Sequence, residues 1–419
     1  MSGSRERLRA GVAVVDITPS HGLAMEGFVA RSEPANGTHD PLTVRALAVG
    51  DSVLATVDAI GLPAPLSARV RAAAPVPAAG VMLHATHTHG GPAALPGQMS
   101  TEPDSDWMSR LEAAIGEAIA RACADRVPAT LSFALAGDPD VARNRRHADG
   151  SVDKTLPVLH VDRVDGAPLA VLVNYACHPV ALGADNRLWT ADYAHFVRTE
   201  VEVATGATAL FVTGCAGDLN TGHSAAASVT LAASEERSFA SAERHGRRIA
   251  HTALAAAPSR IGAGVDARES WIDLPLARTE TEPSEALARR WATEADATSD
   301  PVRARLIGIW ARWAADIAPR DLRPIRVRVS WLDWGGLRLI GMPGEIFAAT
   351  ALGIRADLAG PAILAGFCES NPGYFPPREE FEHGGYEVEE AHRYYGLPAA
   401  FAPGAAEAIG DAVRALDTQ

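Results

Sequence analysis

The chain has 419 residues, 47% of them hydrophobic and 21% charged, proportions that exclude a collagen, a coiled coil and wholesale disorder. Lys and Arg number 38 against 51 Asp and Glu, a net charge of −13, which argues against a nucleic-acid protein and against a basic membrane-surface binder. A chain this long buries most of the surface its unfolded state exposes, so it needs neither disulfide nor metal simply to fold.

The 4 cysteines, Cys123, Cys177, Cys215 and Cys368, include no CxxC pair, and a disulfide framework is not expected at this size. The N-terminal stretch MSGSRERLRAGVAVV carries charge but no apolar segment of signal-peptide length. No run of about 18 uncharged apolar residues occurs that would span a bilayer. A cytoplasmic protein without membrane insertion is the expectation; whether it forms a homo-oligomer stays open.

In chain order, residues 43–49 and 52–58 read as strands paired across Gly50-Asp51. Residues 81–89 (VMLHATHTH) read as a strand running into Gly90-Gly91-Pro92. Residues 104–125 place Trp107, Leu111, Ile115, Ile119 and Ala122 on one helical face. Strands follow at about 129–136, 155–162 and 168–175, then a helix over 192–204 and a buried strand over 207–213. Residues 222–232 are small and polar, a mobile loop leading into a helix at about 233–256. A strand at 270–276 precedes one helical stretch over 283–316. Residues 325–334 alternate apolar and polar, the pattern of a half-exposed strand; 337–343 is another strand, and Glu345 opens a helix. With no internal repeat and no clear linker, the expectation is one α/β domain over 1–419.

The strongest local signal is Thr86-His87-Thr88-His89-Gly90-Gly91-Pro92. Residues i and i+2 of a strand face one side, so His87 and His89 can address one metal, or a metal and its water; the same pattern also suits a half-buried strand with two polar histidines. His84 is out of phase and reads as structural. His178, in Cys177-His178-Pro179, follows an apolar strand, where sites in α/β proteins gather; Cys177 reads as packing. Thr213 to Asn220 (TGCAGDLN) is rich in small residues that let backbone N–H groups approach a ligand, and nothing marks Cys215 there as an activated nucleophile. Glu345, in Pro343-Gly344-Glu345, suits either a helix dipole or a zinc. Tyr374 and Tyr386 lie in an aromatic and acidic stretch over 371–396.

Taken in order, GVAVVDITP, GTHDPLTVRA, THTHGGP, Asn144-Arg145 with VDKTLPVL, CHP, AGDLN, MPGE and NPGY with a Tyr twelve positions on resemble the neutral, non-lysosomal ceramidases and their short bacterial relatives over roughly residues 11–396. The resemblance implies a layered sandwich of mixed β-sheets flanked by helices, and a Zn2+ held by His87, His178, Glu345 and Tyr374. It also implies His89 beside the metal water, with Arg145 and Tyr386 flanking the reacting carbonyl. Such a zinc activates water and polarises a carbonyl; Asn144, Asp58 or Asp218 are expected to orient the groups around it.

The family's Ser is replaced by Asn220 in Gly217-Asp218-Leu219-Asn220, and the family's C-terminal immunoglobulin-like domain has no counterpart in these 419 residues. The expectation is therefore a zinc-dependent amidohydrolase that cleaves the N-acyl bond of a soluble small molecule contacted by Asn220 and Asp218. A true ceramidase, a metal-dependent lyase or isomerase, and a non-catalytic metal-binding protein are the alternatives.

Overall fold

In the computed structural model, which describes residues 8–97 and 101–418, apolar strand residues point alternately into two different interiors. The first seven residues, part of the charged N-terminal stretch, lie outside the described residues. Eight strands form the path of the larger sheet: β1 (Arg9–Asp16), β2 (Thr43–Val49), β3 (Ser52–Val57), β4 (Val81–Ala85), β5 (Val127–Ala136), β6 (Leu156–Arg163), β7 (Pro168–Tyr175) and β8 (Thr208–Thr213). Their order across the sheet is β8-β7-β6-β5-β1-β2-β3-β4. The β8–β7 and β3–β4 pairs are parallel and the rest antiparallel. A smaller sheet runs β9 (Val265–Leu274), β10 (Ile325–Trp334), β11 (Leu337–Gly341) and β12 (Ala362–Ala365), with only β11–β12 parallel.

The two sheets face each other. Leu47, Leu131, Leu172 and Val212 of the larger pack on Leu332, Trp334, Leu339 and Ile363 of the smaller. The outer face of the larger sheet is covered by α1 (Ala64–Ala73) and α2 (Ser105–Ala124) at one end, and by α3 (Tyr193–Thr205) and α4 (Phe239–Leu254) at the other. The apolar stripe predicted for 104–125 is the buried face of α2. Helices α7 (Ala348–Asp357) and α8 (Ala405–Asp417) cover the smaller sheet. The result is a helix–sheet–sheet–helix sandwich, the layered mixed α/β fold that the resemblance implies. No helix among the described residues is long and apolar enough to cross a membrane.

Several elements differ from the sequence reading, each for a physical reason. The stretch 283–316 is two helices, α5 (Ser284–Ala297) and α6 (Pro301–Asp316). Pro301 lacks the N–H a continuous helix needs, and Asp300 caps the new start by accepting from Val302 N (2.9 Å). Helix α4 begins at Phe239 rather than near 233, where Ser238 accepts from Ser241 N. Strand β10 is buried on both faces rather than half exposed. Its central charged position meets an ion network instead of water: Arg328 pairs with Glu369 (2.6 Å) and Glu269 (2.6 Å), and Arg71 pairs with Glu369 from the other side.

The larger sheet curls until its two edge strands nearly meet. His84 on β4 takes the N–H of Thr213, at the end of β8, on its Nε2 (3.1 Å), the structural role expected of it. Residues 366–369 are stitched into the gap: Gly366 N donates to Thr213 O, Ala85 N to Phe367 O, and Glu369 N to Leu83 O. The adjoining ends of both edge strands are thereby satisfied.

Beneath this seam Asp58 is fully buried and accepts both guanidinium nitrogens of Arg198, at 2.8 and 2.9 Å, together with Thr43 N. Burial raises the Asp58 carboxyl, but Arg198 and the Thr43 N–H outweigh it and hold it below its ordinary value. Replacing Arg198 with Ala leaves that carboxylate unpaired in the interior and is expected to cost about 3–5 kcal/mol of stability. Arg247→Ala, which removes the exposed Arg247–Glu200 pair, is expected to leave the denaturant midpoint unchanged. Equilibrium urea unfolding of the two variants checks the contrast.

Candidate metal centre

The predicted site residues gather at one end of the sandwich, beyond the C-terminal ends of β4, β7, β8 and β11. Strand β4 stops at Ala85, short of the predicted strand over 81–89, and His87 takes φ +64. The two histidines therefore do not converge by strand alternation. They converge through a left-handed turn, a conformation worth about 1–3 kcal/mol of strain in a non-glycine residue. The turn is held by His87 N donating to Ala59 O (2.9 Å) and by Phe367, itself at φ +55, stacked on the His87 ring at 4.0 Å.

His178 leaves β7 and is fastened by its N–H to Leu219 O (2.9 Å). Glu345 opens no helix. Gly344 at φ +54 turns the chain, Glu345–Ile346 pairs in parallel with Tyr374–Phe375, and α7 begins only at Ala348. The helix-dipole reading of Glu345 is thus overturned: its carboxylate points into the cluster and is fully buried.

Ring protons decide what this cluster can hold. His87 Nδ1 lies 2.6 Å from Ile60 O, and His178 Nδ1 lies 2.6 Å from Ala216 O. Each Nδ1 carries the proton that meets its carbonyl, so in a neutral ring the Nε2 is the nitrogen left to serve as a ligand. Both Nε2 atoms face the Glu345 carboxylate: His178 Nε2 is 3.0 Å from Glu345 Oε2, and His87 Nε2 is 3.8 Å from Glu345 Oε1. His89 Nε2 stands 3.3 Å from His87 Nε2. Burial drives the His87 imidazole down, to about 3, and His89 down as well. Burial raises Glu345, but His87, His178 and the Tyr395 hydroxyl outweigh it and hold it ionised, at about 2. Imidazole nitrogens gathered beside an ionised carboxylate form a donor set for a cation. His87, His89 and His178 form a group whose ligand atoms all lie within 4.8 Å of one another, so the buried cluster can hold a metal ion.

The residues around it arrive on short backbone pairs. Arg143–Asn144 pairs with Leu219–Asn220, and Arg145 N donates to Asp218 O (2.9 Å). The Arg145 guanidinium donates to Glu387 (2.9 Å), Gly217 O (2.9 Å) and the Tyr374 hydroxyl (3.0 Å). Tyr386 lies 5.7 Å from Tyr374, ring centre to centre. Gly27, at φ +106, lets the backbone pass against His89, whose Nδ1 would sit 2.4 Å from any Cβ there.

The expected substrate contacts Asn220 and Asp218 are engaged in holding the protein together. Asn220 is 1% exposed; its Oδ1 accepts from Gly222 N and His223 N, and its Nδ2 donates to His223 O (2.7 Å). An Asn in a tight turn readily bonds its own backbone a few residues on, and here that takes up both ends of the amide. Asp218 accepts from Asn144 Nδ2 (2.7 Å) and from Ala348 N (2.8 Å), tying the Arg145 segment to the start of α7; burial pushes it up to about 6. Cys177 and Cys215 are buried, and burial drives both thiols up, which fits packing.

Three residues the sequence reading missed stand in the site. Tyr395 donates its hydroxyl to Glu345 Oε1, so the phenol nearest that carboxylate is Tyr395, while Tyr374 serves Arg145. Glu387 ties Arg145 and Arg146 together. His223, on the loop that Asn220 holds, lines the adjoining cavity. None carries a spacing signal: each is brought in by a loop whose course only the fold sets.

A cavity of about 430 Å³ opens on the cluster. His89, His178, Arg145, Tyr374 and Tyr386 line one side; Val29, Val180, Val229, Leu306 and Trp310 line the other. Its outer wall is α6.

No protein-family model matches this chain, and no curated protein matches it. Among solved structures its fold is similar to that in a crystal structure of neutral ceramidase from Pseudomonas aeruginosa, with a TM-score of 0.75 and 18% identity over 98% of this chain and 75% of that one. It is similar, with the same TM-score and shares and 17% identity, to a ceramidase complexed with C2. The likeness is one of fold.

Two outcomes are expected from the geometry. Asn220→Ala leaves two loop N–H groups without their acceptor and should lower stability by about 1–3 kcal/mol, read as a fall in Tm. Tyr395→Phe removes the donor from Glu345 and should weaken divalent-metal affinity about 10-fold or more, read by chelator competition on folded protein.

Proposed function

We propose that this chain is a zinc-dependent amidohydrolase acting on a small N-acyl compound, working as one 419-residue unit in the cytoplasm. The observation that carries the reading is the cluster of imidazole nitrogens gathered around an ionised, buried carboxylate beside hydrogen-bond donors, at the floor of a cavity. The ceramidase-like fold supports it. The proposed ligands are His87, His178 and Glu345, with Tyr374 as the phenolic fourth; a bound zinc would supply Lewis acidity and a water more acidic than bulk.

The remaining work falls to this chain's own side chains. Hydrolysis adds the oxygen of water to the acyl carbon, breaks the C–N bond and moves a proton to the leaving nitrogen. His89 lines the cavity, is neutral, and its Nδ1 has no hydrogen-bond partner among the described residues; it takes the proton from water and returns it to nitrogen. Arg145 and Tyr386 donate to the oxygen on which negative charge develops. Burial raises the Tyr386 phenol, keeping its proton in place, and Glu387 fixes the Arg145 guanidinium by its Nε. The cavity is of small-molecule size, which favours a soluble amide over a two-chain lipid.

Purified protein is expected to hold about one zinc per chain by elemental analysis. His87→Ala and His178→Ala should each lose it, and His84→Ala should keep it; unchanged zinc in both ligand variants would refute the site. His89→Ala and Tyr386→Phe should keep zinc yet lower turnover of an N-acyl substrate by about 10²-fold or more. Wild-type rates in either variant would remove that residue from its assigned role.

A further inference from the structure

We infer that the cavity selects an amide whose body carries an ammonium group, held by Glu390 against the aromatic wall of Trp310, Tyr386 and Tyr394. The inference rests on the amide reading above and deepens it.

The charges that line the cavity are not equally matched. Arg145 is paired with Glu387 at 2.9 Å. Arg303, at the mouth, is 60% exposed and pairs with Glu294 at 3.3 Å. Glu390 also lines the cavity and is half-buried, yet it has no hydrogen bond or ion pair with any described residue. The cation nearest it in sequence, Arg393, is turned onto Glu280 (3.1 Å) and stacked over Trp291, Trp310 and Trp313 at 4.8–5.6 Å. Burial, helped by the like charges of Glu389 and Glu387, pushes the Glu390 carboxyl up more than the nearby Arg393 charge pulls it down. An incoming cation offsets that shift; a neutral or anionic group does not.

The surroundings suit a cation as well. Tyr386 and Tyr394 lie 5.9 Å apart at 37°, and Trp310 Nε1 donates to the Tyr394 hydroxyl at 2.7 Å. Aromatic faces beside a carboxylate form the chemistry that holds an organic ammonium, through the negative ring face and the opposite charge. Tyr386 and Glu390 are the two ends of one π-helical turn, and such turns commonly sit where side chains must be re-aimed at a site. The same turn thus offers a donor to the reacting carbonyl and a countercharge to the rest of the molecule. An amide with a cationic substituent within a few bonds of its carbonyl meets both.

The test separates binding from chemistry. The zinc-loaded protein is titrated calorimetrically with 4-phenylbutylammonium and with its neutral counterpart 4-phenylbutanol, neither of which can be hydrolysed. The ammonium is expected to bind at least 10-fold more tightly. Glu390→Gln and Glu390→Ala, which disturb no recorded bond, should each erase the preference with zinc content and circular dichroism unchanged. Trp310→Leu should weaken the ammonium more than the alcohol. Equal binding of the two probes by the wild-type protein overturns the inference, as does a preference that survives in both Glu390 variants. If the preference holds but no N-acyl amine or diamine is hydrolysed, the amidohydrolase reading fails instead. If neutral amides turn over as fast as their ammonium-bearing isosteres and the probes bind equally, the hydrolase stands and the ammonium site falls.

Discussion

Glu345 is an ionised carboxylate sealed from water, and the His87 and His178 rings that face it are each fixed by an Nδ1–H donated to a backbone carbonyl. An uncompensated buried charge is among the costliest things a fold can hold, and here the Tyr395 hydroxyl and the His87 and His178 rings answer it. The anchors that set the arrangement are backbone carbonyls. Ile60 O and Ala216 O fix the tautomers of His87 and His178, and these carbonyls belong to loops following β3 and β8. The geometry of the candidate metal centre thus depends on where two strand ends stop.

Those strand ends are brought together by the curl of the larger sheet. Sequential pairing alone would leave β4 and β8 at opposite edges. His84 and the 366–369 segment close the gap with backbone hydrogen bonds, and the Arg71–Glu369–Arg328 network pins the segment to the smaller sheet. Phe367 and Glu369 at positive φ sit in this seam, next to His87. Strain of this kind persists only where surrounding contacts over-determine the backbone, and here ring stacking and hydrogen bonds from both sheets do so.

The cavity side has different physics. Helices α5 and α6 pack their tryptophans on each other and on Arg393, forming a satellite cluster apart from the main cores. Through Leu306 and Trp310, α6 supplies the wall facing the candidate metal-holding residues. The reactive floor is therefore part of the rigid sandwich, whereas the wall that meets the body of a ligand is a separate helical addition. Chemistry and selectivity can vary independently in such a design.

Much was legible in the sequence because it rests on local physics. Alternation and helical periodicity located β2, β3, β5 to β8 and α2, and the THTHGGP, CHP and MPGE stretches named His87, His89, His178 and Glu345, which the fold does bring together. What the sequence left open was decided by long-range contacts. His87 and His89 share a target because of a left-handed turn, not strand phase. Arg328 is buried because a second sheet covers its face. Asn220 serves its own loop rather than a ligand, and Tyr395, Glu387 and Glu390 enter the site from a segment with no periodicity to read. Local pattern determines which residues form strands and helices. Which side chains meet, and which of them are left without a partner, depends on loop paths and sheet curvature, and only tertiary packing supplies those.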